Sequence, residues 1–175
     1  GGTSDLSLIS VTEEEGRLNL NRMAVGDHIL LGGDNMDLAL AHQLMEKLQT
    51  KGHKLDGSQL MALNHGCRAA KETLLTDPKH AQQTVTVLGR GSKLVGGSMT
   101  TELTLDDIKQ VMLEGFFPLV PASAELHRGI SFGLQEMGLP YASDPVITKH
   151  LAQFLRNHAD AIKEHYEKAK QPARS

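Results

Sequence analysis

The sequence predicts an α+β fold in which antiparallel hairpins pack with helices, and three observations carry that reading. Polar and apolar residues alternate over 3–11 (TSDLSLISV) and again over 17–25 (RLNLNRMAV), the two-residue period of half-buried strands. Leu38, Leu40, Ala41, Leu44, Met45 and Leu48 recur at helical spacing, and so do Leu60, Met61, Leu63, Cys67, Ala70 and Leu74. A second pair of strand-like stretches follows these helices, at 84–88 and 93–103. Strands in adjacent hairpins favour antiparallel pairing, and an α+β arrangement follows.

In chain order, the acidic run Glu13-Glu14-Glu15-Gly16 is read as the turn of the first hairpin. The first helix ends at Lys51-Gly52, a basic last turn followed by a glycine stop. The second covers 58–75 and ends at Asp77-Pro78. Arg90-Gly91-Ser92 turns the second hairpin, whose return strand is interrupted at Gly96-Gly97 in the manner of a bulge. Thr104-Leu105-Asp106-Asp107 starts a helix running to Gly115, and Phe116-Phe117-Pro118 breaks it. A short helix is expected over 124–137, stopped by Gly138-Leu139-Pro140. Asp144-Pro145 places a capping residue before a proline and opens the longest helix, to about Lys170. The tail 171–175 is expected to fray.

Composition narrows the function. The 175 residues suffice for one domain core, and 39% apolar residues are an ordinary globular share. Aromatics are 3% with no Trp, so aliphatic side chains and Met must build that core. The net charge of −3, with no cluster of Lys and Arg, argues against nucleic acid, which needs a basic face to release counterions. No run is long and apolar enough to span a bilayer, and no secretory leader is visible. One cysteine, Cys67, rules out an internal disulfide and fits a reducing, cytoplasmic setting. It is read as a small buried apolar residue. The start at Gly1 without Met predicts a processed chain or a segment cut from a longer protein.

Three motifs bear on chemistry. Gly1-Gly2-Thr3-Ser4-Asp5 leads the first hairpin. Glycines let backbone amides approach a phosphate, Thr3 adds a hydroxyl, and Asp5 would orient water around Mg²⁺ or ligate a cation. A chain end of this composition is also what a frayed terminus looks like. Gly32-Gly33-Asp34-Asn35 stands at a helix entrance, where free amides and the positive dipole end suit an anion. Asp34 or Asn35 as a plain helix cap is the competing reading, and the two are compatible. Lys71, late in the second helix, would reach a ligand held above it or simply join a solvated charged face with Arg68 and Glu72. Nine histidines invite a metal reading. His158 and His165 stand seven apart, about 10.5 Å along a helix, too far to share an ion. His42 and Glu46 supply only two ligands.

In order and spacing, the Gly-Gly-Thr-Ser-Asp hairpin, the later Gly-Asp followed by Gly-Gly-Asp-Asn-Met-Asp, and the Cys-x-x-Ala-Lys-x-Thr-Leu helix resemble the second lobe of heat-shock-70 (DnaK-type) chaperones. There the corresponding stretches read Asp-x-Gly-Gly-Gly-Thr-Phe-Asp, Gly-Asp-Thr-His-Leu-Gly-Gly-Glu-Asp-Phe-Asp and Cys-Glu-x-Ala-Lys-x-x-Leu-Ser. The resemblance covers residues 1 to about 115 and points to a divergent branch. It implies part of an actin-like ATPase lobe, divided into a phosphate-hairpin portion (1–34), a helix-hairpin subdomain (35–115), a divergent helical region (116–170) and the tail.

Carried over by position, Gly1, Gly2 and Thr3 would lie against nucleotide phosphates, with Asp5 near the metal and cation cluster. Gly32, Gly33 and Asp34 would approach the phosphates from another wall. Gly33 is expected where backbone amides face phosphate, so that a Cβ there would push the backbone away from the ligand. Lys71 would reach the nucleoside end through an exposed contact. Arg68 replaces the family's Glu, Glu72 stands where an Arg often stacks on adenine, and Leu75 replaces a Ser, so adenosine recognition is expected to be altered or weakened. One extra residue lies between Asp27 and Gly32.

The family's ligands are ATP or ADP with Mg²⁺, gripped between two lobes, and catalysis there is mostly positioning and electrostatics. One lobe alone is expected to be an inactive monomer that binds nucleotide poorly. Its expected partners are the rest of the ATPase domain, a nucleotide exchange factor and a co-chaperone. A non-catalytic interaction module on the same scaffold is the alternative. A stand-alone hydrolase lacks a nucleophile–base pair: Cys67 and His65, two apart on a helix, face different sides.

Overall fold

A computed structural model of the chain describes residues 1–77, 79–89, 97–127 and 142–170. It is α+β, with two separate two-stranded antiparallel sheets and helices between and after them. β1 (Ser7–Glu14) pairs with β2 (Arg17–Val25), setting Val11 opposite Leu20 and Glu13 opposite Leu18, with a register shift between Leu8 and Ile9. Glu13 and Glu14 belong to the strand. The turn is Glu15-Gly16 alone, both at positive φ (52° and 75°), the geometry of a tight hairpin turn. The regular strand starts at Ser7 and not at residue 3, because Ser4 pairs beyond it in an isolated bridge with Ile29.

α1 (Gly33–Thr50) and α2 (Gly57–Thr76) follow. α1 ends as its sequence requires: Gly52 takes φ 86°, its N–H donates to Gln49 O at 2.9 Å, and His53 N–H donates to Leu48 O at 3.0 Å. That pattern satisfies the last carbonyls, and positive φ is where glycine has no steric penalty. α2 starts with Asp56 accepting from Gln59 N–H (3.0 Å) while the Gln59 side chain accepts from Asp56 N–H (3.1 Å).

β3 (Gln82–Val87) pairs with β4 (Met99–Thr104), and Thr104 caps the short α3 (Leu105–Lys109). The helix predicted to run to Gly115 widens after Lys109 into a π-helical segment, Gln110–Phe116. Residues 124–127 are not helical. The rest of the helix expected over 124–137 lies outside the described residues, as do the turn at 90–92, the first glycine of the 96–97 bulge, the stop at 138–140 and the tail.

The single helix expected from Asp144 to Lys170 is two, α4 (Ile147–Asn157) and α5 (Ala159–Lys170), broken at His158. Asp144 caps no helix by the expected route. It accepts from Val146 N–H (3.0 Å), His127 N–H (2.9 Å) and Lys149 Nζ (2.9 Å), fastening the preceding loop to α4. Burial alone would raise its pKa; those donors outweigh burial and hold the carboxyl at about 2.

The main core lies between α1, α2 and the β3–β4 sheet. Leu40, Leu44, Leu48, Leu63, Cys67, Leu103 and Ile108 are all fully buried or within 1% of it. Met61, expected on the buried side of α2, faces solvent. A smaller cluster joins Leu31, Met36 and Phe116. Among the described residues no helix is long and apolar enough to cross a membrane.

Candidate functional site

Three segments distant in sequence meet at the start of α1: the leading segment Gly1–Thr3, the turn at Gly32–Asp34, and the face of α2 that carries Arg68 and Lys71. The hairpin ladder brings the first two together. Ser4 N–H donates to Ile29 O at 2.9 Å, Ile29 N–H returns to Ser4 O at 3.1 Å, and Ser4 Oγ donates to Leu31 O at 2.8 Å. Gly1 and Thr3 are thereby laid across Gly32. A Cβ on Gly32 would fall 2.6 Å from Gly1 O and 2.7 Å from Thr3 N, backbone atoms that cannot move aside.

Gly33 is different: its Cβ would meet nothing nearer than Gly1 O at 3.5 Å, an ordinary contact. Within the chain itself, Gly32 is therefore a position that close approach reserves for glycine. Its φ of −168° is extended backbone open to any residue, so the requirement is steric.

The entrance of α1 is largely occupied by the chain itself. Asp34 N–H donates to Gly1 O (3.3 Å), Asn35 N–H donates to Gly32 O (3.1 Å), and Gly32 N–H donates to Asn35 Oδ1 (2.8 Å). Asn35 is the residue that caps the turn, and Asp34 does not. The Asp34 carboxylate instead accepts from Arg68 Nη2 at 3.0 Å. Asn35 is fully buried, and its Nδ2 has no hydrogen-bond partner.

Lys71 departs from its expected setting. Its side chain is 12% exposed, and its ammonium stands 2.5 Å from Oδ1 of Asp37, whose side chain is 3% exposed. The contact is an ion pair lying outside hydrogen-bond angles, since that oxygen accepts no hydrogen bond. Arg68 Nε lies 3.7 Å from Asp37 Oδ2 and 3.6 Å from Glu72 Oε1. A buried charge left without its partner is costly, so Lys71 and Asp37 hold one another in place. Cys67, one turn away, is inert: burial first, and the Asp37 charge second, push its thiol up to about 12.

Of the residues singled out by sequence, Gly1, Gly2, Gly32, Gly33, Asp34 and Lys71 come together. Thr3 contributes its backbone, and its side chain is exposed. Asp5 pairs with His28 (Oδ1 to Nδ1, 2.7 Å) on an exposed surface. Among the described residues no three His, Cys, Asp or Glu side chains cluster as a metal site.

Asp37 is the member whose role sequence reasoning missed. The available signal was a lone carboxylate between Met36 and Leu38 on the buried side of an apolar helix, one helical turn from the glycines. Such a residue needs a cation within reach. No protein-family model and no curated protein matches the chain.

Proposed function

We propose that this chain is part of the nucleotide-binding domain of a heat-shock-70-like chaperone, one lobe of an actin-like ATPase in a divergent branch. The observation that supports it is the convergence of Gly1–Thr3, Gly32–Asp34 and Lys71 from three separate segments onto the start of one helix. Glycine backbone, a helix N-terminus and two cationic side chains are the chemistry that receives phosphate oxygens. On this reading ATP or ADP arrives with Mg²⁺, Gly1 to Thr3 and Gly33 border the phosphates, and Asp5 with His28 lies toward the cation. The rest of the ATPase domain supplies the opposite wall, and an exchange factor grips the helix-hairpin subdomain in the cytoplasm. Turnover needs both walls, so this chain alone hydrolyses nothing.

A second reading has its own observation. The α1 amides are largely taken by Gly1 and Gly32 carbonyls, while Asp34 and Asp37 occupy the cations. A site so filled by its own chain fits a non-catalytic interaction module that has lost nucleotide affinity.

Amide-resolved NMR titration with MgADP separates the two. The lobe reading expects saturable shifts confined to Gly2, Thr3, Gly33, Asp34 and Lys71, with a Kd on the order of 1 mM. Gly32→Ala, whose Cβ would strike Gly1 O and Thr3 N, should abolish them. An unchanged spectrum to about ten times that concentration overturns the expected nucleotide contacts and favours the reading that has lost nucleotide affinity.

A further inference from the structure

The proposed phosphate cradle already holds an anion of its own. Asp34 stands in the first turn of α1, where the helix dipole favours negative charge. One carboxylate oxygen accepts from Arg68 Nη2 at 3.0 Å, and the other lies 3.0 Å from the place of a Cβ on Gly2. The carboxylate therefore sits between the glycine strand and the guanidinium.

We infer that Asp34 is an internal competitor for the anion, holding Arg68 until a ligand phosphate displaces it. This rests on the lobe reading above and names what limits affinity at that same site.

Three observations carry it. A guanidinium offers the same planar donor fork to carboxylate and to phosphate, so the two acceptors are interchangeable partners. Asp37 already has Lys71 at 2.5 Å, so Arg68 at 3.7 Å is free to change acceptor without stranding that buried charge. Independently, Asn35 Nδ2 is a fully buried donor without an acceptor. Oδ1 of the same amide accepts from Gly32 N–H, which ties this residue to the start of α1. The fold thus keeps a tethered cation at the entrance and an unpaired, fully buried donor on the residue that closes it.

The test is a titration of inorganic pyrophosphate and of ADP into the chain and into Asp34→Asn, Arg68→Gln and the double variant. Asp34→Asn should bind pyrophosphate about ten-fold tighter, the range of one charge-assisted hydrogen bond. In the Arg68→Gln background the gain should fall below about three-fold, because the freed donor is no longer there. Equal affinity of the parent chain and Asp34→Asn overturns the inference while leaving the lobe reading standing. A ten-fold gain that persists without Arg68 overturns it too, since bulk repulsion would then suffice. Binding by none of the four proteins sinks the lobe reading and the inference with it. Asp34→Ser, also compatible with a helix start, supplies the same readout if the Asn variant fails to fold.

Discussion

The two hairpins of this chain are written in the same alternating code and end in opposite environments. In β3–β4 the inward residues Val85, Val87, Met99, Thr101 and Leu103 are all buried, and their outward neighbours Thr84, Thr86, Thr100 and Glu102 are polar. The cover comes from α1 and α2, which precede the sheet in sequence and turn back over it. In β1–β2 one face carries Ile9, Val11, Leu18 and Leu20, exposed by 50, 59, 70 and 71%.

Alternation tells which residues share a face; it does not say what covers that face. A two-stranded hairpin with a bare apolar face is marginal in water, and burying each such side chain would contribute about 1.5–3 kcal/mol. That unused stabilisation supports the reading of β1–β2 as a surface that the rest of a larger ATPase domain covers.

The largest expected effect falls on the covered hairpin's side of the comparison. Leu44 is fully buried between α1, α2 and the β3–β4 sheet. Leu44→Ala should destabilise the chain by about 2–5 kcal/mol, the transfer loss plus the cavity left behind. Urea unfolding followed by circular dichroism reads it as a lower midpoint with unchanged slope. A loss under about 1 kcal/mol would mean this core is loosely packed and the contrast with β1–β2 is overstated.

A smaller effect tests what fastens β4 to α1. Asp107 exchanges hydrogen bonds with Thr104 and accepts from Lys47 Nζ at 2.8 and 2.7 Å. Burial pushes its pKa up, but the donors from Lys47 and Thr104 outweigh burial and leave it lowered from 3.8. A carboxyl with a depressed folded pKa contributes stability above its unfolded value. It loses that contribution as pH falls below the ordinary carboxylate range toward the folded value, since the unfolded state then binds the proton first. Asp107→Asn should cost about 1–2 kcal/mol at pH 7, for part of a capping box and an ion pair. It should also flatten the decline of stability below about pH 4. An unchanged acid profile would assign that decline to other carboxylates, Asp144 first among them.

How much of this was legible depended on the range of the interactions involved. Both hairpins, α1 and α2 follow from period and punctuation, because Gly52 and Asp56 act within a few residues of where they stand. The π-helical widening at Gln110–Phe116 and the break at His158 carry no local signal, and both occur where segments distant in sequence pack. At the candidate site, motif order located the residues, but their contacts are tertiary. Gly32 and Gly33 are indistinguishable as letters, and only the crossing of Gly1–Thr3 shows that Gly32 has no room for a Cβ within the chain. In sequence Lys71 reads as part of a solvated charged face with Arg68 and Glu72; Asp37, on another helix, draws it inward.

The smallest effect is the most direct challenge to the contrast between the hairpins. Leu20 lies opposite Val11 on the bare face, 71% exposed. Thr brings the β-branched shape that strands favour and replaces apolar surface by a hydroxyl that water satisfies. Leu20→Thr should therefore change stability by no more than about 0.5 kcal/mol, as for surface substitutions that disturb no packing. The same change in a covered strand, Leu103→Thr, should cost several-fold more, because it opens space and buries a hydroxyl together. Parallel urea titrations of the two variants give the comparison without reference to any partner. A loss above about 1 kcal/mol for Leu20→Thr would show that the face is covered in solution. Sedimentation at several concentrations would then tell whether a second copy of the chain provides the cover. An unchanged midpoint leaves the face bare and available to the rest of a larger domain.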